Sequence, residues 1–146
     1  MRSTAHEGEA MDFRKSVIET HKNYEMANML ASAESYVETA RGKFGYAIAR
    51  NIRKLNDACL EFLQARQDLL SQYGTESTDE NGNSTGGFSI KIGTDACNEF
   101  LKQLGEYSDI EHSVEIYKIP YEVLPDDLTA KELLALEWML YDSDNS

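Results

Sequence analysis

Apolar and polar positions along the chain change period several times, and each change predicts an element. From about Met11, the residues Phe13, Val17, Tyr24, Ala27 and Ala31 recur at about 100° per residue, which predicts a helix. Its stripe is thin and, through "MANMLASAESYV", built largely from small side chains, so this helix is expected to lean on a stronger neighbour. That neighbour begins at Gly42 and Gly45. Phe44, Ile48, Ile52, Leu55, Cys59, Phe62, Leu63, Leu69, Leu70 and Tyr73 form one broad stripe over roughly eight turns at about 3.6 residues each. Ala47, Ala58 and Ala65 line one flank, where a second helix can approach closely, and Gly74 supplies the stop. The spacing predicts one continuous helix from Phe44 to Tyr73.

"GTESTDENGNSTGG" has no periodicity and reads as a loop or hairpin tip, with Asn81-Gly82 as the tight turn. In "FSIKI", Phe88, Ile90 and Ile92 alternate with Ser89 and Lys91, which predicts a short strand with one buried face. Thr94 or Asp95 then caps a helix carrying Cys97, Phe100, Leu101 and Leu104 on one face, ended by Gly105. "SVEIYKIPYEVL" is a second strand that Pro120 stops or confines to a sheet edge.

The closing segment, "TAKELLALEWMLYD", opens on Thr129 and Glu132, a capping-box signature. Leu133, Leu134, Leu136, Trp138, Met139 and Leu140 then cover nearly the whole circumference of the predicted helix. Such a helix is either sandwiched in the core or shared with another chain. The fold class is α+β: a long antiparallel helical pair or hairpin packed with a small antiparallel sheet and two short helices. The predicted organisation is a disordered leader over 1–10, a single domain over 11–142 and a polar tail over 143–146.

The chain has 146 residues, 41% of them hydrophobic, enough for one compact domain with its own core. A net charge of −12 repels phosphate backbones and anionic membranes at long range, which lowers the standing of nucleic-acid binding unless a local basic strip overrides it. No export signal and no run of membrane-spanning length is evident, and Cys59 and Cys97 read as small buried hydrophobes, so the expected setting is a reducing cytoplasm.

A search for chemistry excludes more than it finds. Asp79, Asn81 and Asn83 have the first three spacings of a calcium loop, but Ser84 stands where glycine is needed and Ile90 where a bidentate glutamate is needed. His6, His21 and His112 lack metal-ligand spacing, and "ARGKFG" lacks that of a phosphate loop. Glu106, Asp109, Glu111 and Glu115 form a carboxylate run without hydrophobic enclosure, which reads as solvated surface rather than acid/base machinery. Neither catalytic residues nor metal or cofactor ligands are assigned.

Two features stand above this background. Arg66 projects into the apolar stripe of the long helix, so it needs a carboxylate partner or must snorkel out along the stripe edge. Lys43, Arg50, Arg53 and Lys54, interleaved with Tyr46, form a basic strip that suits a phosphate or base. Asp57 and Glu61 follow within two turns and dilute its field, so a solvated helix face is the favoured reading.

"GKFGYAIARNIRKL", "FLQARQDLLSQYG", the "DENGN" turn, "VEIYKI" and "LTAKELLALEWML" occur in an order that resembles an uncharacterised family of short phage and prophage proteins from Gram-positive bacteria. The resemblance covers Gly42 to Asp142. It implies origin rather than activity, because the family offers no reaction, ligand or catalytic residues to transfer. The expected function is therefore that of a non-enzymatic interaction or accessory protein, acting by helical oligomerisation or by docking on a protein partner. Lys43, Tyr46, Arg50, Arg53, Lys54, Arg66, Trp138 and Met139 are the interaction candidates. The alternative is nucleic-acid or nucleotide binding by the basic strip.

Overall fold

The computed structural model describes residues 16–142. The predicted leader, Phe13 in the first helix and the tail 143–146 lie outside the described residues.

The chain is α+β, but its first element differs from the sequence reading. Ser16–Lys22 is a strand, β1, rather than the start of a helix. It runs antiparallel to β4, Glu111–Tyr117, in a register from Ser16↔Tyr117 to Lys22↔Glu111. Val17 fits a helical face by spacing, yet "SVIETHK" carries three β-branched residues in its first five, which favour a pleated surface once a partner strand is present. Helix α1 is accordingly shorter, Asn23–Glu34, and begins where the Glu25 carboxylate accepts the Lys22 backbone N–H at 2.7 Å. Its buried face is Met26, Met29, Leu30 and Ala33, whereas Tyr24 and Ala31 face outward. The longer side chains offer more area to remove from water, so they determine which face packs.

Helix α2, Gly42–Tyr73, is the long predicted element and lies against α1 as the second arm of a helical hairpin. Gly42 has φ +61, and a β-carbon on Gly45 would meet the Ala40 carbonyl oxygen at 2.9 Å, so both glycines serve the tight entry. Phe44, Ala47, Ile48, Leu55, Cys59, Phe62 and Leu69 are buried, as the stripe requires. Continuity is not maintained: Cys59 has φ −112 and ψ 19, and the helix bends there. The Cys59 thiol donates to the Leu55 carbonyl oxygen at 2.9 Å, a bond to the fourth residue back that competes with the backbone ladder and bends helices. Because Cys59 and Phe62 both stay buried, the apolar stripe passes through the bend.

Strands β2, Thr75–Thr78, and β3, Ser84–Ser89, make the hairpin. Its tip is closed by the Asp79 carboxylate, which accepts the backbone N–H groups of Asn81 and Asn83, and by Gly82 at φ +84. The predicted "FSIKI" strand stops at Ser89; Ile92 is 91% exposed just before Gly93 turns the chain at φ +89. Helix α3, Asp95–Ser108, is capped by the Thr94 hydroxyl, which accepts the Cys97 N–H at 3.2 Å. It does not end at Gly105. Asn23 supplies the reason: its Nδ2 donates to the Tyr107 carbonyl at 2.9 Å and its backbone N–H to Ile110, so tertiary donors serve carbonyls beyond the glycine.

The C-terminal segment buries part of its apolar excess in the core. The capping box forms, with the Thr129 hydroxyl accepting the Glu132 N–H at 3.1 Å and the Glu132 carboxylate accepting the Thr129 N–H at 2.9 Å. Helix α4 is only Ala130–Leu136, followed by a 3₁₀ turn, Glu137–Met139, and strand β6, Leu140–Tyr141, parallel to β5, Ile119–Pro120. This change of path places Leu136, Met139 and Leu140 in the core, while Leu134 is left 68% exposed.

These elements meet at Asn51. Its side chain is 0% exposed, in the middle of the α2 stripe. Asn51 Nδ2 donates to the Tyr117 carbonyl at 2.9 Å, and the Tyr117 N–H donates to Asn51 Oδ1 at 2.7 Å. A side-chain amide thus pairs with the outer edge of β4 as another strand would. Replacing Asn51 with alanine leaves two buried backbone groups unpaired and is expected to cost about 2–4 kcal/mol in urea unfolding. Asn51→Asp is expected to lose more at pH 7, where a carboxylate faces a carbonyl, and to regain stability in acid. There the protonated acid can donate, its folded pKa being raised by burial.

Candidate functional site

The basic strip and the β1–β4 ribbon come together on one surface. Arg50 and Lys54 are one turn apart on α2, and Tyr46 is one turn earlier. The Asn51 clasp brings β4 alongside them, so that Glu115 and Tyr117 face the same strip. Lys54 Nζ lies 3.0 Å from the Glu115 carboxylate, and Arg50 Nη2 lies 4.0 Å from it. Arg50 Nη1 donates to the Tyr46 hydroxyl at 3.3 Å, and its guanidinium lies 5.4 Å from the Tyr117 ring centroid. Tyr46 meets Tyr117 edge-on, with centroids 5.4 Å apart and ring planes at 81°. Among the described residues, Arg50 Nε is buried without a hydrogen-bond partner.

The result is a preorganised aromatic–guanidinium surface. Tyr46 remains 56% exposed, and Ile18, the ladder partner of Glu115, is 75% exposed beside it. Lys43 and Arg53 are exposed at the same end of α2. One carboxylate from β4 therefore offsets the strip at close range, in addition to Asp57 and Glu61 further along the helix.

The remaining candidates lie elsewhere. Arg66 is half-buried, its guanidinium 5.9 Å from the Phe62 ring centroid along the stripe edge. Trp138 is half-buried and donates from Nε1 to the Ser32 hydroxyl at 2.9 Å, tying the C-terminal turn to α1. Met139 is fully buried, its sulfur 3.9 Å from Asn51 Nδ2, so it has no surface to offer a partner. This corrects its assignment as an interaction residue: Met139 follows the buried Leu136 by three residues and shares its inward face.

The carboxylate run disperses. Glu115 serves the strip, Asp109 lies 3.9 Å from Lys22, and Glu106 and Glu111 point into solvent. A polar cluster invisible in the sequence forms instead on β1 and β4. Glu19 accepts from Lys118 Nζ at 2.7 Å and contacts His21 Nε2 at 2.8 Å, and His21 stands opposite His112 in the ladder. Among the described residues, no group of three or more histidine, cysteine or acidic side chains is placed to hold a metal ion. Nor is any helix among them long and apolar enough to cross a membrane.

Asn51 and Asn23 escaped the sequence reading. Asn51 was legible in principle, since an amide at a stripe position between Ala47 and Leu55 must find backbone partners. Asn23 sits at an element boundary and carried no such signal.

Electrostatics follows these contacts. Burial raises the Glu19 carboxyl, but the hydrogen bonds and charges of Lys118 and His21 outweigh it, and its pKa falls below the ordinary 4.5. Burial and the hydrogen bond to Glu132 push the Tyr36 hydroxyl up to about 12. Burial also raises the Cys59 thiol, which suits a structural rather than a nucleophilic role.

Comparison of the chain with protein-family models, with curated proteins and with solved structures found no match.

The Glu19 pair makes a signed prediction. A carboxylate whose folded pKa is depressed contributes stability above its unfolded value, and loses it as the pH falls through the folded one. Lys118→Ala is therefore expected to lower stability by about 1 kcal/mol at pH 7. The gap from the parent protein should close as unfolding is followed below pH 4.5.

Proposed function

We propose that this chain is a non-enzymatic interaction protein of phage or prophage origin, which docks on a protein partner through the outer face of α2 and the adjoining β1–β4 ribbon. The observation that carries this reading is the Tyr46–Arg50–Tyr117 arrangement. Tyrosine and arginine dominate the binding energy of protein interfaces because each combines a large apolar area with a polar tip. Here the two tyrosines and the guanidinium hold one another in place, so little side-chain entropy remains to be lost on docking. Exposed Ile18 adds apolar area at the rim. The C-terminal segment contributes less to this face, since Leu136, Met139 and Leu140 are buried in the core. The phage origin rests on the order of sequence motifs alone.

Nucleic-acid binding by the same strip is disfavoured. Glu115 stands within ion-pair distance of both Arg50 and Lys54, and a phosphate arriving there would compete with a resident carboxylate in a chain of net charge −12. Fluorescence polarisation with labelled single- and double-stranded oligonucleotides at low salt is expected to show no binding. Affinity that falls steeply with added salt and disappears in Lys54→Ala would favour the nucleic-acid reading instead.

The docking reading is tested by placing a photoreactive phenylalanine analogue at Tyr46 and, as a control, at Glu76 on the hairpin. On irradiation in a Gram-positive host, position 46 is expected to yield a discrete protein adduct and position 76 none. Equal or absent adducts at both positions would refute it.

A further inference from the structure

We infer that the outward face of α2 is complementary to itself, and that two copies of this chain pair through it, antiparallel about a two-fold axis level with the bond between Leu55 and Asn56. This rests on the docking reading above and names the partner. Lys43, Arg50, Lys54, Asp57, Glu61 and Asp68 follow one another at three-, four- and seven-residue intervals, and since Phe62 and Leu69 keep the buried stripe in phase beyond the bend at Cys59, all six lie on one side of the helix, away from that stripe. The cations occupy the first half and the carboxylates the second. The positions are symmetric in spacing as well as opposite in sign. Lys43 and Asp68, Arg50 and Glu61, and Lys54 and Asp57 each lie equally far on either side of the same midpoint. A two-fold axis there sets Lys43 against the partner's Asp68, Arg50 against the partner's Glu61, and Lys54 against the partner's Asp57. Each contact then occurs twice, as an isologous interface requires.

Three further observations point the same way. Including Arg53 and Glu115, the face carries four cations and four carboxylates, so it is neutral in a chain of net charge −12, and it is where two such acidic molecules can approach. Arg50, one-third exposed, meets Glu115 only at 4.0 Å and gives one hydrogen bond to the Tyr46 hydroxyl, so its outward guanidinium N–H groups keep donors for an incoming carboxylate. Tyr46, 56% exposed, and Leu60, 50% exposed, lie along one flank of this face and add apolar area beside the charges.

The test uses full-length protein in sedimentation equilibrium at about 0.15 M salt, where charges beyond about 8 Å are screened but facing pairs are not. The unmodified chain is expected to dimerise. The variant Lys43→Glu/Arg50→Glu and the variant Glu61→Lys/Asp68→Lys should each dimerise at least tenfold more weakly. Mixed together they should form a heterodimer, because every reversed charge then faces an opposite one. Lys43→Glu and Asp68→Lys, at exposed positions, form a second pair for the same experiment should Arg50→Glu disturb the fold. A chain that stays monomeric throughout, a dimer indifferent to these charges, or a mixture that fails to reassociate would each overturn the inference. A foreign adduct at position 46 from a chain that is monomeric in solution would overturn the two-fold pairing while leaving the docking reading intact.

Discussion

The fold depends on one side-chain amide that behaves as a piece of backbone. Asn51, wholly buried in the long helix, gives a donor and an acceptor to the two main-chain groups of Tyr117. A helix and a sheet edge do not ordinarily share hydrogen bonds, and a buried strand edge left unpaired is costly. Here the amide closes that edge. β4 is held between β1 on one side and α2 on the other, and Val114 and Ile116 turn into the core beneath.

The surface follows from the same contact. With Tyr117 fixed beside α2, its ring lies against Tyr46 and under Arg50, and Glu115 reaches Lys54. The aromatic–guanidinium set is thus exposed at its rim but anchored at its base, over the buried Ala47, Ile48, Asn51 and Leu55 of α2. The bend at Cys59 separates this region from the rest of α2. Beyond it, Leu63, Leu70 and Tyr73 are only partly buried, and α3 has just one buried side chain, Cys97.

Much of the architecture is legible in the residues where burial is dense and periodic. The stripe from Phe44 to Leu69 announces α2, and Thr129 with Glu132 announces the start of α4. β1 is not legible, because a seven-residue segment with mixed polarity becomes a strand only when β4 lies beside it, and helical phase can be matched by chance in so short a window. Likewise "LLALEWML" satisfies helical periodicity throughout, yet parallel pairing of Leu140 and Tyr141 with Ile119 and Pro120 draws the chain out of the helix. The cations of the candidate site were visible. Glu115 and Tyr117, which decide what those cations can do, sit more than sixty positions away and are placed by a tertiary hydrogen bond.

Amide hydrogen exchange at Tyr117 tests this account most directly. If Asn51 closes the edge of β4, the Tyr117 N–H is released only by global unfolding, and its protection should equal that of the core amides of α2. Exchange at Tyr117 as fast as at the solvent-facing amides of the β2–β3 hairpin would contradict it, and with it the placement of every side chain on the proposed docking face.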